Sequence, residues 1–185
     1  IDCGTNSIRL LIADITGDNF QEITRDMEIV RLGQGVDATG KFDPEAIERT
    51  LEATRKYAQI IASKGVEKIR FCATSATRDA SNRDLFIDGV REILGIEPEV
   101  IPGTEEAELS FIGATKGLLH TESPYLVVDI GGGSTEFVLG KTEVEYAKSV
   151  NIGCVRMSER HLNKAPQDPL VIQRAIRDID EAIAK

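Results

Sequence analysis

The sequence predicts an α/β fold built from two related halves, and three observations predict it. A short turn pattern occurs twice, as Asp2-Cys3-Gly4-Thr5-Asn6-Ser7 and as Asp129-Ile130-Gly131-Gly132-Gly133-Ser134. Each copy leads directly into an apolar segment, Ile8-Arg9-Leu10-Leu11-Ile12 in one and Thr135-Glu136-Phe137-Val138-Leu139 in the other. Between the copies, strand-like and helix-like stretches alternate, which implies parallel pairing through right-handed crossovers.

Taken in order, residues 8–15 read as a buried strand, Gly17-Asp18-Asn19 as a turn, and Phe20 to Leu32 as two short strands or one bent one. Gly33-Gln34-Gly35 and Asp37 to Gly40 read as loop. Asp43-Pro44 opens a helix with proline in its first turn, and Ile47, Leu51, Thr54, Ala58, Ile61 and Ala62 keep helical spacing up to Lys64-Gly65. A strand over Lys68–Ala73 follows, then a helix from Asp84 to Leu94 capped from the Ser81-Asn82 region, and a short strand at Val100-Ile101. Gly103 reads as a break, and Thr104-Glu105-Glu106-Ala107 opens a further helix with Thr104 as its cap. Thr121-Glu122-Ser123-Pro124 has linker composition, which sets a first domain at 1–121 and a second from 125 to 185. The second begins with a buried strand, Tyr125–Ile130, and continues with strands at 137–140 and 144–150. Asn151-Ile152-Gly153 leads to one helix. Asp168-Pro169 opens another, with Leu170, Ile172, Ile176, Ile179 and Ile183 as its apolar stripe. The second half starts the pattern of the first without finishing it, so it reads as truncated at its C-terminus.

Composition narrows the function classes. With 41% hydrophobic and 29% charged residues, the chain is an ordinary globular sequence. No apolar run reaches the length of a membrane span and no basic-then-apolar leader is present, although the chain opens on Ile1-Asp2, the tail of a strand. A net charge of −9 argues against general nucleic-acid binding, while a phosphate site can still be locally positive. Cys3, Cys72 and Cys154 are far apart and lack metal-ligand spacing, so they read as reduced cytoplasmic thiols.

A glycine turn between strands points backbone N–H groups and a hydroxyl at one spot, as a phosphate oxygen requires. The Asp beside it can hold a divalent cation or orient a water. One copy is equally well a hairpin turn with no ligand; two copies with the same Asp and Ser favour phosphate.

These motifs resemble the exopolyphosphatase and guanosine pentaphosphate phosphohydrolase family of the actin-like superfamily. The resemblance covers the whole chain and includes Thr74-Ser75-Ala76-Thr77-Arg78-Asp79-Ala80 and Gly153-Cys154-Val155-Arg156-Met157-Ser158-Glu159. It implies two duplicated ribonuclease-H-like domains with a phosphate chain in the cleft between them. By position it implies phosphate loops at Gly4, Thr5, Asn6 and Ser7 and at Gly131, Gly132, Gly133, Ser134 and Thr135. It makes Glu106 the catalytic carboxylate, Arg78 a phosphate contact, and Asp129 and Glu136 the carboxylates of a Mg²⁺ or similar cation. Asp2 is a further metal candidate.

Each residue also has a plainer reading. Glu106 shares a helical first turn with Glu105 and Glu108, where any carboxylate complements the macrodipole. Glu136 fits a solvent-facing strand position, Arg78 a surface ion pair, and Asp2 and Asp129 bonds to turn amides. His120 and His161 are too separated for a zinc site or a catalytic triad, and Cys154 fits helix packing better than nucleophilic attack.

The expected activity is release of terminal phosphate from inorganic polyphosphate, with guanosine pentaphosphate as an alternative substrate. The rivals are a sugar- or acetate-kinase-like or chaperone-like ATP-binding protein of the same superfamily, and a non-catalytic phosphate sensor. The resemblance is compatible with a homodimer and with no nucleic-acid or membrane partner.

Overall fold

Local sequence decides most elements, and the partners they meet in space decide how far they extend. The computed structural model describes residues 1–17, 19–118, 124–162 and 168–184. Asp18 of the expected turn, His120 and the linker positions Thr121 to Ser123 lie outside the described residues. The chain packs as two units, Ile1–Val100 and Ile101–Lys185.

The first unit holds a five-stranded sheet in the order β3-β2-β1-β4-β5. β1 (Asp2–Cys3), β2 (Ser7–Thr16) and β3 (Asn19–Ile29) form an antiparallel meander, and a register shift at Ile12/Ala13 makes β3 one bent strand. β4 (Cys72–Ala73) and β5 (Glu99–Val100) add in parallel. Of the strand expected over Lys68–Ala73, only Cys72–Ala73 pairs, in register with Asp2 and Cys3 of β1. Val36–Thr39, expected as loop, forms one helical turn, α1, bracketed by Gly35 and Gly40 in the left-handed region at φ 73° and 65°.

α2 (Pro44–Ser63) starts where expected, with the Asp43 side chain accepting from the Glu45 and Ala46 amides. Its buried face runs through Ala46, Thr50, Leu51, Ala53, Thr54, Tyr57 and Ile61. Thr50 and Thr54 tolerate this because their hydroxyls donate back to Ala46 O and Thr50 O at 2.7 and 2.8 Å. α3 (Ser75–Asp79) follows β4, and α4 (Asp84–Leu94) packs on α2 where Gly89 leaves room for Leu51. The expected Ser81-Asn82 cap of α4 does not form. Asn82 instead clamps the Phe42 backbone, accepting its N–H at 2.8 Å and donating to its carbonyl at 3.1 Å.

In the second unit β6 (Tyr125–Ile130), β7 (Thr135–Gly140) and β8 (Val144–Val150) form an antiparallel sheet in that order, matching the β1-β2-β3 opening of the first. α5 (Gly103–Thr115) lies on one face, burying Ala107 and Phe111 against Val138. This packing puts α5 with the second sheet, ahead of the boundary that linker composition suggests at 121–125. The helix includes Gly103 rather than breaking there. Thr104 lies inside its first turn and Pro102 occupies the cap position with no side-chain bond. On the other face, Val150, Ile152, Met157 and Ala175 form a small core joining α6 (Cys154–His161) and α7 (Pro169–Ile183), with Phe137 packed against it. β6 is therefore not buried on both sides: Leu126, Val128 and Ile130 are exposed while Tyr125, Val127 and Asp129 turn inward. Likewise only Ala175 of α7 is fully buried, and Leu170, Ile172, Ile176 and Ile183 are exposed.

Candidate functional site

The two glycine turns close with the same bond. Gly4 N–H donates to Ser7 O and Gly131 N–H to Ser134 O, each at 3.0 Å. A Cβ at Gly131 would sit 3.0 Å from that Ser134 oxygen, so the second turn needs glycine for closeness.

Both turns are braced through their carbonyls. In the second, Gly131 O accepts from Cys154 N at 2.9 Å, and Gly132 O from Val155 N and Arg156 N at 2.9 and 3.1 Å. Gly133 O accepts from Arg156 Nε at 2.7 Å. Because each trans peptide sets its N–H opposite its C=O, the N–H groups of Gly132, Gly133 and Ser134 all point away from α6. None of the three has an acceptor among the described residues. They form a concavity of donors, the arrangement that holds anions. The amides at the start of α6 are consumed by the brace, so the anion position is the loop and not the helix end.

In the first turn, Thr5 O accepts from Gly33 N at 2.9 Å and Asn6 O from Val30 N and Arg31 N at 3.0 and 2.9 Å. Arg31 adopts φ 52° to bring those amides round, and Arg49 Nε secures the segment by donating to Val30 O at 3.2 Å. Sequence reasoning missed these braces. Their signal is a second repeat, Val30-Arg31-Leu32-Gly33 and Val150-Asn151-Ile152-Gly153, whose glycines press against the turns. A Cβ at Gly33 would lie 2.3 Å from Thr5 Cγ2, and one at Gly153 would lie 2.5 Å from the Gly132 carbonyl. Thr135, expected to bind phosphate, donates its hydroxyl to Ile152 O at 2.6 Å and so tightens the brace.

The carboxylates gather on the α5-covered face of the second sheet. Asp129 and Glu136 are direct ladder partners, and Glu136 in turn faces Ser149. Such pairs hold their Cβ atoms about 5 Å apart. Glu136 is 1% exposed, which removes its solvent-facing alternative. Its Oε1 accepts from Ser149 Oγ at 2.7 Å, and Asp129 Oδ2 accepts from Ser110 Oγ at 2.8 Å. Each carboxylate thus has one oxygen fixed by a serine and one without a bonded partner among the described residues. Glu106 lies one helical turn before Ser110 on α5.

No group of three or more His, Cys, Asp or Glu side chains is placed to hold a metal among the described residues. Two hard carboxylates suit Mg²⁺, which is usually held by one or two of them with phosphate oxygens and water completing its shell. Asp2 is different. Its ladder partner is Arg9, 3.4 Å away in an exposed ion pair. Arg78 lies in the last turn of α3, whose start is anchored by Thr74 N–H on Cys3 O at 3.1 Å. Next to it, Thr77 Oγ1 is a buried hydroxyl without a hydrogen-bond partner among the described residues. Where the structure brings candidates together it does so within units: Gly4–Ser7, Asp2 and Arg78 in the first, Glu106, Asp129, Glu136 and the Gly131–Thr135 loop in the second.

The family model of the Ppx/GppA phosphatase family matches residues 11–185. The chain is 49% identical over 190 residues to a protein of Mycobacterium tuberculosis named Exopolyphosphatase 2, covering 96% of this chain and 60% of that relative. It is 33% identical over 165 residues to a Photobacterium profundum protein named Guanosine-5'-triphosphate,3'-diphosphate pyrophosphatase, covering 87% and 32% respectively. Among solved structures, an exopolyphosphatase-like protein superposes with TM-score 0.95 at 51% identity, over 99% of this chain and 58% of that one. An exopolyphosphatase from Cytophaga hutchinsonii superposes with TM-score 0.92 at 33% identity, over 98% and 59%. A PilM–PilN pilus biogenesis complex shares the actin-like fold alone, at 11% identity and TM-score 0.59. The chain thus spans about 60% of the length of the first of these relatives.

Proposed function

This chain belongs to the Ppx/GppA phosphatase family, and on that premise we propose that it releases terminal phosphate from inorganic polyphosphate. Water attacks the terminal phosphorus, the bridging P–O bond breaks, and orthophosphate leaves with a chain one unit shorter. Guanosine pentaphosphate is the second substrate, an extension supported by the name of the Photobacterium relative. The two units are copies of one ribonuclease-H-like design, supported by their matching meanders and turn closures.

One observation carries the reading: three consecutive N–H groups, Gly132 to Ser134, aimed one way with their opposing carbonyls all held. These amides take phosphate oxygens, and the Gly4–Ser7 turn does the same with its own donors. Arg78 adds a guanidinium fork, which suits phosphate as an ammonium does not. Glu106 orients the attacking water and takes its proton, help typically worth ~10²–10⁴ in rate. Asp129 and Glu136 are the carboxylates that would hold Mg²⁺, each with one oxygen already fixed by a serine. When bound, that ion shares the charge of the phosphoryl oxygens. Asp2, engaged by Arg9, stays outside the metal set. A bacterial cytoplasmic setting is supported by the bacterial relatives and by three cysteines without disulfides.

The test follows orthophosphate from long-chain polyphosphate with Mg²⁺, for the wild type and Glu106→Gln. Release by the wild type with a loss of about 10² or more in the variant is expected. No release, or release unaffected by the substitution, sinks the hydrolytic reading.

A further inference from the structure

We propose that Ser110 is a positioning residue that locks the Glu106 helix in register with Asp129. The proposal deepens the hydrolytic reading, because it assigns the tie between the water-activating helix and the cation-holding strand. α5 rests on its sheet through apolar contacts, Ala107 and Phe111 against Val138. Apolar contact is non-directional, so by itself it specifies register less sharply than a hydrogen bond does. The Phe111 ring does limit the approach, since a Cβ on Gly140 would meet it at 2.8 Å. Register along the strand needs a directional bond, and Ser110 Oγ supplies one at 2.8 Å to Asp129 Oδ2.

The placement of that bond matters for two reasons. Ser110 sits over Asp129 near the end of β6, while Phe111 reaches Gly140, the partner of Tyr125 at the strand's beginning. Glu106, one helical turn earlier, lies on the same face of α5 as Ser110 and so moves with it. Second, the bond uses Oδ2 and so fixes the rotation of the carboxylate, leaving Oδ1 for a cation. Ser149 does the same for Glu136 on the next strand, but its bond runs within the sheet, from β8 to β7. Ser110 alone of the two serines joins the carboxylate to the helix that carries Glu106.

Outer-sphere partners of metal carboxylates typically affect affinity or activity by roughly 10–100-fold. Ser110→Ala is expected to weaken Mn²⁺ binding, read from the paramagnetic resonance signal of the free ion, by roughly tenfold. It is also expected to lower kcat for tripolyphosphate while KM stays within about twofold, because the loop amides that bind phosphate are untouched. Ser110→Thr, which keeps the hydroxyl, restores both; Ser149→Ala weakens Mn²⁺ binding with a smaller loss in kcat. Should Ser110→Ala not fold, the Ser110→Cys variant replaces it, keeping the volume with a far weaker donor. Wild-type Mn²⁺ affinity retained in Ser110→Ala or Ser110→Cys overturns the proposal, as does a wild type that binds no Mn²⁺. Mn²⁺ binding that depends on Ser110 without any phosphate release supports it while overturning the hydrolytic reading, so the two failures are distinct.

Discussion

The two glycine turns share a closing bond, a bracing direction and a pressing glycine, yet the ladder position facing the aspartate differs between them. Arg9 faces Asp2, whereas Glu136 faces Asp129. The first turn thus carries its own counter-charge in an exposed ion pair, the kind worth about 0–1 kcal/mol. The second concentrates two carboxylates on a face covered by α5, where negative charge without a cation is costly. A repeated backbone can therefore keep one geometry while a single facing residue decides whether the site attracts a cation or supplies one.

Neutralising the two aspartates one at a time is expected to give the largest difference between the turns. Asp129→Asn is expected to lower phosphate release by about 10²–10³, the scale of losing a group that stabilises developing charge. Asp2→Asn is expected to change it less than about threefold, since exposed ion pairs contribute little. Equal losses in a phosphate-release assay would show that the facing residue does not set the asymmetry.

The pressing glycines of the two turns differ as well. Gly153→Ala drives a methyl into the Gly132 backbone at 2.5 Å, whereas at Gly33 the methyl meets the Thr5 side chain. Overpacking costs about 1–3 kcal/mol, and the larger drop in melting temperature belongs to Gly153→Ala because backbone cannot swing aside. Arg156 tests the side-chain part of the second brace. Arg156→Met removes the bond to Gly133 O, worth about 1 kcal/mol, so KM for polyphosphate should rise several-fold while Glu106-dependent kcat stays close to wild type.

The smallest effect lies where α6 meets α7. Asp178 accepts from His161 and from Arg160 Nη1 at 3.0 and 2.7 Å, and these bonds, His161 first, hold its carboxyl below the ordinary value. A depressed carboxylate pKa adds stability that is present above the unfolded value, near 4, and is lost as pH falls through the folded one. Melting temperatures of wild type and Asp178→Asn should therefore differ slightly at neutral pH and converge towards pH 3. A constant gap would mean that the bonds do not depend on the charge.

How much was legible in the sequence varies with the range of the cause. The Asp-Pro starts of α2 and α7 were readable because a cap and its amides lie within three residues. The Ser81-Asn82 cap was misread because Asn82 finds a better partner in Phe42, forty positions away in sequence. Of the two buried threonines of α2, Thr54 fell on the helical spacing but Thr50 did not, since its burial rests on a hydroxyl satisfied by the helix itself. At the site, the turns, Asp129, Glu136 and Glu106 were all named from motif order. Their serine partners and the glycines that press on the turns were not.

The sequence by itself determined the two turns, the order of strands and helices, and which carboxylates are chemically suited to a cation. These depend on glycine, proline and aspartate acting on neighbouring backbone. Only the tertiary structure decided that α5 lies on the second sheet, that Glu136 is buried beside Asp129 rather than exposed, and that Asp2 is answered by Arg9. Those outcomes depend on ladder register and on which face a helix covers, and both bring together residues too far apart in the chain for local pattern to fix.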